Sequence, residues 1–180
     1  MKLYTIGHSN HRIEKLIQLL NDQGIMILVD VRTAPYSRFN PQFNKENLER
    51  ELLLQNIQYA YAGRYLGGRP SDPACYKSGV LPSSDTDFLH EVDYPAVMKR
   101  SWFIQGIGQL LELADQDLAA AMCSEENPAD CHRHHLIAKY LLDKNPEVDV
   151  WHIRGDGTVF RASTLSTSVN EIKSEQLPLF

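Results

Sequence analysis

Cysteine is scarce in this chain: three residues in 180, at positions 75, 123 and 131. An odd, sparse set argues against a disulfide framework, and no C-x-x-C pair of the kind that builds structural zinc sites is present. Positive charge is also short. Eighteen Lys and Arg stand against 23 Asp and Glu, a formal net charge of −5, so nucleic acid cannot be gripped by bulk electrostatics and any contact with it must be local. No apolar run approaches the roughly 20 residues that span a bilayer, so no membrane association is expected. The N-terminal Met1-Lys2-Leu3-Tyr4-Thr5-Ile6-Gly7-His8 turns polar too soon for an export signal and reads as a first strand. Reduced thiols and a cytoplasmic location are the expectation.

What is present is the composition of an ordinary globule, long enough for one well-buried domain and short for two. Leu3 to Ile6 is a β-type run, followed by helical spacing at Leu16, Ile17, Leu19 and Leu20 that Gly24 stops. Ile25 to Val31 is a continuous apolar strand of the kind buried on both faces of a parallel sheet. Lys45 to Gln55 reads as helix and Ile57 to Ala62 as a third strand, while residues 64–93 read as a long loop. Tyr94 to Asp115 is mostly helix, with strand 118–123, helix 131–143 and strand 148–153 after it. Gly155-Asp156-Gly157 reads as a turn back into Thr158-Val159-Phe160. This order favours an α/β fold with a mostly parallel open sheet and helices on both faces; a degenerate β/α barrel is the alternative. Residues 1–160 form the single domain, and residues 161–180 a loose tail.

The strand C-terminal ends would gather the polar residues on one side of that sheet. The most informative segment is Cys123 to Arg133, C-S-E-E-N-P-A-D-C-H-R, set between the apolar strand Leu118–Met122 and the helical run from Leu136. Three readings are open for it. Cys-x7-Cys-His is deficient as a zinc set, although His8 could supply a fourth ligand, and no metal ligand or cofactor is assigned. Cys123 or Cys131, near a helix N-terminus with His132 and Arg133 beside it, could be a low-pKa nucleophile, although the segment does not fit the C-x5-R phosphate loop of cysteine phosphatases. Cys123 could also be a small hydrophobe at a strand end. Glu125 needs a partner, for which Arg133 or His132 is the obvious choice.

Asp30 and Arg32 flank Val31 and should point to the same side, either as an ion pair closing the strand or as part of a site. The following Pro35-Tyr36-Ser37-Arg38-Phe39 loop adds a second arginine, and Arg32 with Arg38 could clamp an anion. His8 and Ser9 follow the first strand, where a histidine is either a satisfied hydrogen-bonding residue or a participant. The aromatics Tyr36, Phe39, Phe43, Tyr59, Tyr61 and Tyr65 could stack a base or pack in the core.

The pattern I-G-H-S at 6–9, V-D-V-R at 29–32, P-Y-S-R-F-N-P-Q-F-N at 35–44, L-G-G at 66–68 and C-S-E-x5-C-H-R at 123–133 resembles the family catalogued as domain of unknown function 488. The resemblance implies a cytoplasmic bacterial or archaeal α/β domain without an established activity. Its motif falls on His8, Ser9, Asp30, Arg32, Ser37, Arg38, Cys123, Glu125, Cys131, His132 and Arg133. Residues 69–93 match no part of the pattern. Separately, Gln176-Leu177-Pro178-Leu179-Phe180 resembles the Q-L-x-L-F peptide by which bacterial polymerases and repair proteins dock on the replication sliding clamp.

Two functions fit. One is an enzyme on a nucleotide or nucleic-acid-derived anionic substrate. Asp30, Cys123, Glu125, Cys131 and His132 would do the chemistry, and His8, Ser9, Arg32, Ser37, Arg38, Tyr61 and Arg133 would hold the substrate. The other is a non-catalytic anion- or nucleotide-binding module recruited to DNA through Gln176, Leu177, Leu179 and Phe180.

Overall fold

The computed structural model describes residues 1–83 and 87–165. Its centre is one open six-stranded sheet: β1 (Lys2–Gly7), β2 (Ile27–Asp30), β3 (Gln58–Tyr61), β4 (Ala119–Cys123), β5 (Asp149–Ile153) and β6 (Val159–Arg161). The strands lie in the order β3-β2-β4-β1-β5-β6, all parallel except the β5–β6 hairpin. With edges at β3 and β6 the sheet does not close, so the barrel alternative is excluded and the open α/β sheet is the fold.

Strand alternation splits the interior in two. Ala119, Ala121 and Cys123 of β4 face one core with Leu3, Val29 and Val31, while Ala120 and Met122 face the other with Tyr4, Ile6 and Leu28. The second core is closed by α1 (Ile13–Asp22) and α2 (Lys45–Leu54), through Leu16, Leu19, Leu20, Leu48 and Leu52. Between α2 and β4 the chain forms α3 (Gly63–Leu66), α4 (Phe88–Glu91), α5 (Tyr94–Val97) and α6 (Ser101–Gln116). A π-helical turn, Arg133–Ala138, runs into α7 (Lys139–Lys144). Phe103, Ile107, Leu110, Leu136, Ile137 and Leu141 from these segments close the first core. Each of these is at most 3% exposed, so at about 25 cal/mol per Å² every one is a substantial stabilising contribution.

The split follows from topology. From β1 to β2 to β3 the chain steps across the sheet one way, and from β3 to β4 to β5 it steps back. Right-handed crossovers in opposite directions place their helices on opposite faces. β4 therefore sends its chain to one face, while its neighbours β1 and β2 send theirs to the other. A crevice opens at such a reversal, beyond the strand ends. Gly7 pairs in register with Cys123, and Asp30 with Met122, so the three strand ends meet there.

In the region read as a long loop, residues 64–83 and 87–93 are more ordered than their composition suggested. Asp72 and Asp87 cap short helical turns with their side chains, and Tyr76 bridges to Val92. The helix expected over 94–115 is broken, α5 ending before α6 begins at Ser101. No helix among the described residues is long and apolar enough to cross a membrane. Gln176, Leu177, Leu179 and Phe180 lie outside the described residues.

Candidate functional site

A cleft of about 680 Å³ opens over the ends of β2 and β4, within the size range of small-molecule sites. Arg32, Ser37, Cys123, Glu125, Cys131 and His132 line it, together with Gly68, Arg69, Tyr94 and Asp130. At its floor stand two thiols and an imidazole. His132 Nδ1 lies 3.5 Å from Cys123 Sγ and 3.9 Å from Cys131 Sγ. The other ring nitrogen, Nε2, donates to the carbonyl of Val31 at 3.2 Å, which leaves Nδ1 as the free acceptor facing the sulfurs in the neutral ring. The three side chains are 1–8% exposed.

The loop that makes this possible is built from its own residues. Asn127 caps a short 3-10 turn, Pro128–Asp130, and that turn folds Cys131 back toward the strand end that carries Cys123. Arg133 is fully buried and donates to the carbonyls of Glu125 and Glu126. Glu126 takes two bonds from Arg154, at 2.8 and 2.9 Å, and one from the Gly155 amide. A Cβ at Gly7 would stand 1.7 Å from the Glu125 carbonyl, so only glycine lets the loop pass there. Gly68 has the same role against His132, since a Cβ would meet the ring at 2.7 Å. A π-helical turn follows at once, the departure from α geometry that recurs beside functional sites.

The sulfurs share charge unequally. Burial alone pushes Cys131 up, but the hydrogen bond from Cys123, the imidazole of His132 and the Arg133 guanidinium outweigh it and hold Cys131 well below the ordinary thiol value. Cys123 goes the other way, raised by its bond to Cys131 and by burial. Glu125, at the cleft rim, is raised by desolvation and by Cys131, which favours its protonated form.

The remaining residues singled out from the sequence divide clearly. His8, Asp30 and Arg32 form a closed network below the cleft. Arg32 pairs with Asp30 and donates to the carbonyl of Phe43 at 2.8 Å, and its Nη1 lies 3.1 Å from His8 Nε2. His8 Nδ1 is 2.6 Å from the Ser9 carbonyl, and the ring stacks on Phe43. Burial and the nearby Arg32 push His8 down to about 4, so it is neutral. Tyr59 adds a bond to Asp30 at 2.9 Å, so both Asp30 oxygens are engaged and no lone pair is free for acid–base work. Ser9 sits at φ 52 and ties its amide to Ser124. Ser37 accepts from the amides of Phe39 and Asn40, while Arg38 is exposed and stacks on Phe39. Tyr61 donates to the Thr33 carbonyl. Arg32, Arg38 and Arg133 thus do not converge as an anion clamp; the first is neutralised, the second faces solvent and the third holds the loop.

Sequence reasoning missed Arg69, Tyr94 and Asp130. Arg69 is an exposed cation on the cleft wall, stacked 4.4 Å over Phe88. Tyr94 at the head of α5 and Asp130 in the 3-10 turn complete the wall. Only Gly68 carried a signal beforehand, in the L-G-G triplet.

The fold and cleft define an open-sheet α/β domain with a thiol–imidazole centre at a strand-end crevice. Residues 12–141 match the family described as domain of unknown function DUF488, most of the chain's length, and the protein belongs to that family. No curated protein and no solved structure matches it.

Proposed function

We propose that this protein is an enzyme acting on a nucleotide or nucleic-acid-derived anionic substrate in the strand-end cleft. Cys123, Cys131 and His132 would be its reactive centre, and Glu125 the group that moves a proton. The observation that carries the reading is the convergence of two thiols and an oriented imidazole on the floor of a small-molecule-sized cleft. Buried thiols serving only as packing need no such imidazole, and a carboxyl group held toward its protonated form at the rim suits acid–base catalysis. Arg69 supports the anionic class, as an exposed cleft-wall cation in no ion pair among the described residues.

The test is a turnover screen of nucleotides and nucleic-acid fragments with the wild-type chain and Cys131→Ala. Turnover that the variant loses supports the enzyme. No turnover, with thermal stabilisation by phosphate compounds, supports instead the non-catalytic anion-binding module. On the likeness of Gln176 to Phe180 to a clamp-docking peptide, we also propose the bacterial sliding clamp as a partner.

A further inference from the structure

Three donor atoms in the cleft, Cys123 Sγ, Cys131 Sγ and His132 Nδ1, all lie within 4.8 Å of one another. A tetrahedral zinc ion with Zn–S about 2.3 Å and Zn–N about 2.0–2.1 Å has S···N edges of about 3.6 Å and an S···S edge of about 3.8 Å. The observed S···N distances are 3.5 and 3.9 Å. Both S···N separations thus lie within about 0.3 Å of the tetrahedral edge, and the two sulfurs are close enough to share one ion.

We propose that Cys123, Cys131 and His132 bind one zinc ion, whose fourth coordination position faces the cleft. The proposal rests on the reading of this cleft as the reactive centre and assigns its cofactor. Sequence spacing argued against zinc, because seven residues separate the cysteines. The 3-10 turn at Pro128–Asp130 removes that objection by folding the loop back on itself.

Two features beyond the donors fit a metal. Metal-bound histidine characteristically donates its second ring N–H to a carbonyl, which fixes the ring and its tautomer. His132 Nε2 does so to Val31, leaving Nδ1 directed at the sulfurs. Gly68 packs against the ring beside Cγ and Nδ1, where any side chain would displace it. Charge also balances, since two thiolates and a neutral imidazole neutralise a divalent ion. On binding, each thiol still protonated releases its proton to solvent, and both sulfur lone pairs become Zn–S bonds. Three protein ligands with one open position is the arrangement of catalytic rather than structural zinc, and Glu125 stands beside that opening.

The experiment titrates the full-length chain, freed of metal by a chelator, with Zn²⁺ and with Co²⁺. One metal per chain is expected, with a thiolate-to-cobalt charge-transfer band and the intense visible bands of tetrahedral cobalt. Cys123→Ser and Cys131→Ser should each weaken zinc by more than the about 10–100-fold that loss of an outer-shell partner costs. Because a serine variant can misfold, zinc must also protect both thiols of the wild-type chain from alkylation. Absence of stoichiometric uptake, a cobalt spectrum without the thiolate band, or unprotected thiols overturns the proposal. A chain that takes up zinc but turns over no substrate supports the metal site and fails the enzyme reading. One that turns over substrate in chelator and ignores zinc overturns the metal site alone.

Discussion

Arg32 holds Asp30 through two bonds, Nη2 to Oδ2 at 2.6 Å and Nε to Oδ1 at 2.9 Å, with neither side chain more than 4% exposed. A buried pair of this kind contributes little beyond its own desolvation cost, but breaking it strands the survivor. Asp30→Asn leaves an unpaired guanidinium below the cleft and should lower unfolding free energy by about 3–5 kcal/mol. Urea denaturation checks this. A loss below about 1 kcal/mol, the scale of an exposed pair, would show that water reaches Arg32.

Gly68→Ala should disable the centre while leaving the sheet intact. The new methyl lands 2.7 Å from the His132 ring, which the Val31 carbonyl holds from the other side. Overpacking of this sort costs about 1–3 kcal/mol in stability. A 1 Å shift of His132 would cost about 100-fold in any reaction it serves. Folding is checked by circular dichroism and the centre by turnover. Undiminished turnover in a folded Gly68→Ala chain would remove His132 from the chemistry.

Three buried histidines make the fold acid-sensitive. Burial is the first cause in each case, pushing His8 and His134 down to about 4 and His152 to about 3. An unfolded histidine titrates near 6.5, so below that pH the unfolded chain binds protons that the folded chain refuses. The stability these groups contribute is complete above about pH 6.5 and is lost as pH falls toward their folded values. The slope is up to about 1.4 kcal/mol per pH unit for each histidine. Denaturation midpoints between about pH 6.5 and 5, above the carboxylate range, report it. Since His134 and His152 bond to each other at 3.0 Å, replacing either should reduce the slope. A flat profile would mean that these rings are already charged in the native state.

Clamp recruitment is tested by truncation. A chain lacking Gln176 to Phe180 should lose association with a bacterial sliding clamp in surface plasmon resonance. Leu179→Ala and Phe180→Ala should each weaken it by about 1.5–3 kcal/mol if those side chains are buried in the partner. Equal binding by the full-length and truncated chains would detach this protein from the clamp.

Much of the fold was legible because its signals are local. The apolar run ending in Val29-Asp30-Val31-Arg32 reads directly as an internal parallel strand, and its alternation puts Asp30 and Arg32 on one side, where they pair. Residues 64–83 and 87–93 were opaque because aspartate caps and an isolated bridge, Tyr76 to Val92, order them, and neither leaves a hydrophobic period. The site was legible as a set of residue types but not as a geometry. Arg133 reads like a ligand-binding arginine, yet it is drawn to the carbonyls of Glu125 and Glu126, a preference set by loop closure. Arg69 and Tyr94 reach the cleft only through tertiary packing, from segments with no motif of their own.

The central claim is that Cys123, Cys131 and His132 form one reactive centre, and Cys75 supplies an internal control. All three cysteines are free and buried, but Cys75 does not line the cleft and has no histidine bonded to its sulfur among the described residues. The direct measurement is mass-mapped alkylation of the chelator-treated native chain near neutral pH, alongside His132→Ala. The account predicts that Cys123 or Cys131 is labelled well before Cys75, and that the His132 variant slows that labelling. Labelling of all three at one rate, or of none until the chain unfolds, would contradict it.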